Sequence, residues 1–246
     1  MNRRCAIVSL SITVLITGGG GASALAGNSA SVTQKPAPLL PPASEFSPRV
    51  DNPWYPLKPG TSYTYRGVKD GQPTRDVMTV THRTRRIGGV NCVVIEDRLY
   101  LSGHLGERTT EWYSQDRQGN VWYFGEDTAE LDATGHITST AGTWRAGIQG
   151  ARPGLFMFAH PLVGHSAQQE YFKGQAADHF QVLSLHAVAK VPYISSAQAM
   201  LTKEWTPLEP GTIDHKLYVR GIGTVLEQTI KGGDERNALI SVTHQR

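Results

Sequence analysis

Residues Glu111 to Asp127 read EWYSQDRQGNVWYFGED. Two short aromatic-rich runs flank a polar centre, Asp116 to Gly119, with the composition of a turn. The stretch therefore reads as a β-hairpin, with residues 111–114 paired against 121–125. Strand side chains alternate between faces, so Trp112, Tyr113, Trp122 and Tyr123 fall two to a face. Cross-strand aromatic pairs contribute roughly 0.2–1 kcal/mol each, which accounts for at least one face as sheet packing. The second face is then available as a stacking platform for a sugar, lipid or aromatic ligand.

The same signals continue on both sides. Upstream, TSYTYRG places Tyr63 and Tyr65 on one face, and Asp70-Gly71 supplies a strong hairpin turn. RDVMTVTHRT returns, Gly88-Gly89 turns again, and VNCVVIEDRLYLSG puts Val93, Ile95, Leu99 and Leu101 on one parity. Downstream, DHFQVLSLHAVAKVPY, QAMLTKEWTPL, DHKLYVRGIGTVLEQTI and NALISVTHQR repeat the pattern. Short strands with turns every ten residues or so predict an all-β domain, an antiparallel barrel or strongly curved sheet. Between the halves, Ala141 to Ser166 is Gly-rich and carries Pro153 and Pro161. It reads as an irregular crossing segment that packs through GLFMF, a lid over an open end.

The ends divide the 246 residues further. Arg3 and Arg4, an apolar run from Cys5 to Thr17 and Ala24-Leu25-Ala26 form a secretory signal with cleavage after Ala26. The apolar run is shorter than the ~20 residues of a membrane span, so no span is expected after processing. Residues 27–50 hold Pro36, Pro38, Pro41, Pro42 and Pro48 among Ser and Ala, and read as a disordered tether. Residues 51–246 are expected to form one antiparallel β domain. Processing removes two arginines and no acid, which lowers the net charge from +3 to +1. That near-neutrality leaves no field to draw nucleic acid. The basic run THRTRR, Thr81 to Arg86, reads as a solvated strand end. Cys92 is left as the sole thiol, in an apolar strand, and should be buried and inert.

PLKPGT at Pro56 to Thr61 and PLEPGT at Pro207 to Thr212 share five of six letters. Each places Pro-Gly at the centre of a type II turn before a strand. Their surroundings differ, which favours one turn used twice over a repeat unit.

Chemistry-bearing motifs are sparse. Glu126, Asp127, Glu130 and Asp132 form an acidic run after the aromatic hairpin. It reads either as a solvated turn or as part of a site, and its spacing is not that of an EF-hand. His160 and His165 are five apart in the Gly-rich segment, without a metal-site spacing. Gly164 to Gln168, GHSAQ, lacks the closing glycine of a nucleophile elbow, and Gly221-Ile222-Gly223 lacks the third glycine of a dinucleotide fold. No metal or cofactor is expected.

The motifs DNPWYPLKPG, EWYSQDRQGNVWYFGEDT, GTWRAGIQGARPG and TPLEPG, with YVRGIGTV near the end, resemble an uncharacterised family of secreted bacterial all-β proteins. The resemblance spans most of Asp51 to Ile230. It implies secretion to the exterior, periplasm or cell envelope and an all-β domain, and brings no catalytic residue. The expected function is a ligand-binding or interaction module with an aromatic-lined concave site at Trp112, Tyr113, Trp122, Tyr123, Glu126 and Asp127. Its partner would be an apolar, aromatic or carbohydrate small molecule, or an envelope component. The alternative is an extracytoplasmic carboxylate-dependent enzyme acting on a carbohydrate or small molecule.

Overall fold

The computed structural model describes residues 38–245. The expected signal sequence, residues 1–26, and residues 27–37 of the expected tether lie outside the described residues. A 3-10 turn at Ala43–Glu45 leads into β1 (Phe46–Ser47), β2 (Thr61–Lys69), β3 (Gln72–Ile87), β4 (Val90–Leu101), β5 (His104–Asp116) and β6 (Val121–Leu131). Short elements follow: β7 (Ile137–Ser139), β8 (Trp144–Arg145), β9 (Arg152–Met157), β10 (Ser166–Gln168) and β11 (Glu170–Tyr171). Long strands resume with β12 (His179–Lys190), β13 (Ser195–Trp205), β14 (Ile213–Val219), β15 (Gly223–Lys231) and β16 (Arg236–His244). Among the described residues there is no α-helix.

All pairing is antiparallel, and thirteen strands run in the order β10-β12-β13-β14-β15-β16-β2-β3-β4-β5-β6-β9-β11. The sheet nearly closes into a barrel, as the strand pattern predicts. The seam is a single stretch of chain. Ser166–Gln168 pairs with β12 and Glu170–Tyr171 pairs with β9, so both sheet edges meet at Gln169. Gly154 makes this meeting possible: a Cβ there would lie 2.2 Å from the Gln169 carbonyl carbon and oxygen.

Two expectations change at this point. Residues 141–166 do not form a crossing lid, because Arg152–Met157 is a barrel strand on the edge of β6 and Trp144–Arg145 pairs with β6 beside it. Glycine and proline conceal a strand whose GLFM residues are all buried. The domain also begins before Asp51. Phe46 stands edge-on to Trp122 and Phe124, with ring centres 6.2 and 5.3 Å apart, and β1 pairs with β5. An aromatic contact and a strand pairing draw the end of the tether into the fold.

The two PGT turns take the same form. Thr61 N–H donates to the Lys58 carbonyl and Thr212 N–H to that of Glu209, with Gly60 and Gly211 at φ +81° and +119°. They serve opposite ends of the barrel. The first precedes the Tyr63 end of β2, and the second precedes the Asp214 end of β14.

Candidate functional site

The hairpin forms, but its pairing runs one residue beyond the expected 121–125: Glu111 opposes Glu126, Tyr113 opposes Tyr123 and Ser114 opposes Trp122, with a register shift between Glu111 and Tyr113. Asp116 fixes its turn by accepting from the Gln118 and Asn120 amides and from the Trp122 indole at 2.8–2.9 Å. The four aromatics split two to a face, and both faces are covered. Inside, Tyr113 and Tyr123 stack at 4.6 Å, with Phe156, Trp144 and Tyr55 packed edge-on or tilted around them. Outside, Trp122 lies under Phe46, and Trp112 lies beneath the guanidiniums of Arg85 and Arg145, 4.9 and 5.2 Å from its ring centre. All four rings are therefore buried, and none of them lines the surface grooves described below. The outer face needs this cover because a barrel strand that begins with Val-Trp-Tyr-Phe has apolar side chains on both sides.

The acidic run after the hairpin is not a solvated turn. It continues β6, and two-residue alternation turns Glu126, Thr128 and Glu130 inward and leaves Asp127 outside, paired with Arg145 at 3.0 Å. Asp132 alone sits in a turn, where it accepts from the Thr134 and His136 amides. The inner wall of β3 to β6 repeats this inward display. Asp76, Leu99, Glu107 and Glu130 form one cross-strand row, and Met78, Asp97, Thr109 and Thr128 form the next. Val80, Ile95, Glu111 and Glu126 form the third. Across the barrel, Glu204, Asp214, Lys216 and Glu227 line the wall of β13 to β15.

These interior groups fall into two kinds. On the far wall Lys216 is bracketed by Glu204 at 3.0 Å and Glu227 at 3.2 Å, and Glu204 also accepts from Thr202 and Tyr218. Burial opposes the charge on Lys216, but Glu204, Glu227 and Tyr218 outweigh it and hold the ammonium above the ordinary lysine value. On the near wall the carboxylates stand together on neighbouring strands. Among the described residues Oε2 of Glu111 and of Glu126 has no hydrogen-bond partner, and Asp76 has only the carboxyl of Asp97 beside it. Burial pushes all three carboxyls up. The charge of Asp97 adds to the shift at Asp76 and Glu111, and the charge of Glu111 adds to it at Glu126. An ion of this kind buried without a partner is unfavourable by several kcal/mol or more, so the protonated forms are favoured.

Trp54, Tyr55 and Leu57 close the aromatic end, and the opening at the acidic end, between Asp178 and Asp214, has a volume of only about 10 Å³. Concavity lies outside instead. A groove of about 660 Å³ runs between Pro48–Val50, the turn Pro56–Pro59 and the bulge of β3 at Thr81–Thr84. That bulge places Thr81, His82 and Arg83 opposite Val94 alone, because Val80 pairs with Ile95 and Thr84 with Val93. Pro48, Val50, Pro56, Leu57, Pro59 and Val93 make the apolar lining, with Arg49, Lys58, His82 and Arg83 among the other lining residues. Arg83 is engaged by Glu96 and Arg49 by Asp51, whereas the side chains of Lys58 and His82 have no partner among the described residues. THRTRR thus begins as part of a groove wall. In the sequence this shows only as a polar interruption of strand alternation after Val80.

The histidine pair does not form a site. His160 is exposed, and His165 packs on Phe158 at 4.7 Å. Among the described residues no set of three or more His, Cys, Asp or Glu is arranged to hold a metal ion, and no helix is long and apolar enough to cross a membrane. Comparison with family models, curated proteins and solved structures finds no match to this chain.

Proposed function

We propose that the protein is an extracytoplasmic ligand-binding module whose site is the groove between residues 48–59 and the β3 bulge. The observation that carries this reading is a large, proline-lined external groove beside a barrel wall whose hairpin rings are all buried. Sites for small molecules are concave and mostly apolar, with a few polar groups to orient the ligand. This groove has that composition, and the unengaged side chains of Lys58 and His82 supply the orienting groups. Its ligand is a small amphiphile, with an apolar body against Pro48, Pro56 and Val93 and an anionic end near Lys58.

Titration with 1-anilinonaphthalene-8-sulfonate, which joins an aromatic body to a sulfonate, tests the reading. Fluorescence should rise saturably with the folded protein. Thr84→Trp, which fills the groove from an exposed position, should abolish the rise, and Lys58→Glu should weaken it. Both variants should keep the wild-type urea midpoint. Equal fluorescence from Thr84→Trp and the wild type would refute the assignment.

A further inference from the structure

A second concavity stands on different residues from the proline-lined groove, although the two share Asp51. It is a cleft of about 320 Å³ at the aromatic end of the barrel, bounded by the 51–54 segment, the β5–β6 turn, residues 159–161 and the β14–β15 turn. Its floor is held rigidly by one side chain. Asn52 Nδ2 donates to the carbonyls of Gly119 and Phe158 at 2.8 and 3.1 Å, and its Oδ1 accepts from the amides of Trp54 and Tyr55. Gly221 N–H donates to the Pro53 carbonyl at 2.7 Å, which fixes the β14–β15 turn against the same segment.

This turn presents Arg220. Its guanidinium lies 5.0 Å from the centre of the buried Trp54 ring. A cation–π contact of this kind orients an arginine without neutralising it. Among the described residues no carboxylate pairs with Arg220. Asp51, the one acid on the rim, is already engaged by Arg49 at 3.2 Å and by Gln115 Nε2 at 2.7 Å. His160 and Gln118 add two exposed polar side chains without partners, and Pro53, Pro161 and Leu185 form the apolar wall.

We propose that this cleft binds a small organic acid, with its carboxylate on Arg220 and a compact apolar body against Pro53, Pro161 and Leu185. The guanidinium fork matches a carboxylate with two parallel hydrogen bonds. Free Lys at the same place would give a point charge without that geometry. The wall separates an organic acid from a bare inorganic anion, which would gain nothing from it.

Benzoate titration followed by amide and arginine Nε–H NMR signals tests the site, with inorganic phosphate as the second probe. Benzoate should shift the signals of Arg220, Gly221 and Gly119 saturably. Affinity read at Gly221 and Gly119 should fall about tenfold or more in Arg220→Gln, since hydrogen bonds to charged groups are the strong ones. Arg220→Lys keeps the charge and should lie between the two. Phosphate should bind more weakly than benzoate. Phosphate binding as tight as benzoate, benzoate binding undiminished in both variants, or no saturable shift would each overturn the proposal.

Discussion

The near-wall carboxyls make stability depend on pH in an unusual direction, and Glu126→Gln tests it. Glu126 and Glu111 oppose each other across β5 and β6, each 1 % exposed, and burial raises both above the ordinary glutamate value. In the unfolded chain a glutamate titrates near ~4.3. Above that pH the folded state holds a proton that the unfolded state has released. The stabilisation is complete below the unfolded value and is lost as pH rises toward the raised folded values. The slope is about 1.4 kcal/mol per pH unit for each proton retained. The loss accrues at that rate for as long as the folded state keeps the proton, against a typical domain stability of roughly 5–15 kcal/mol. Asp76 adds to the same trend. Urea unfolding followed by tryptophan fluorescence at pH 5, 6, 7 and 8 should show wild-type stability falling across the series. Glu126→Gln preserves the shape and cannot ionise, so its decline should be shallower by up to about 1.4 kcal/mol per pH unit, with little change at pH 5. Wild-type stability that rises with pH, or a variant whose slope matches the wild type, would sink the argument.

Three further outcomes follow from the packing. Gly154→Ala would put a methyl 2.2 Å from the Gln169 carbonyl, so the seam must shift, and a loss of at least about 2 kcal/mol in urea unfolding is expected. Phe46→Ala removes the half-buried ring over Trp122 and Phe124 and should lower stability by roughly 2 kcal/mol, about half the value for a fully buried phenylalanine; no change would place the arm outside the folding unit. Cys92, fully buried with its thiol pKa pushed up by that burial, should resist 5,5′-dithiobis(2-nitrobenzoate) in the native protein and react on addition of denaturant.

The sequence carries the barrel plainly because its turns and alternation agree. Asp70-Gly71 closes β2 and β3 as expected, and Asp234 accepts from both of its amides at 2.8 Å, a tie from the β15–β16 loop that local pattern could not supply. The aromatic hairpin was legible as a hairpin, but neither its register, shifted between Glu111 and Tyr113 so that Glu111 meets Glu126, nor its cover was. Whether Trp122 meets solvent depends on Phe46, 76 positions earlier and in a segment whose prolines argue against structure. The inward acids were visible as spaced letters, Asp97 in IEDRL and Glu107 and Glu111 in GERTTEW. Their parity matches that of Ile95, which is a core signal. Acidic side chains at inward positions run against the usual cost of burying charge, so the alternation rule alone reads them as exposed. The grooves were not legible, since each is assembled from three or more segments distant in sequence.

The wide barrel keeps polar groups inside by bonding them along each wall. Eight strands already enclose an interior just wide enough for side chains to fill, and the path here has thirteen. Inward polar side chains on neighbouring strands bond to one another, as in the Glu204–Lys216–Glu227 bridge of β13 to β15 and the Thr109–Thr128 contact of β5 and β6 at 2.9 Å. Rings fill the other end, where Tyr55 meets Tyr113 and Phe156. The segment that carries Tyr55 also supplies walls to both external concavities, Pro53 and Trp54 to one and Pro56 to Pro59 to the other. Tyr55 is thus the physical link between the proton-holding interior and the surface sites. Its hydroxyl is raised by burial and, next, by the charge of Glu111. Both effects keep Tyr55 a neutral phenol, so it is the packing of its ring on Tyr113 and Phe156 that seats the segment and, through it, shapes both external concavities.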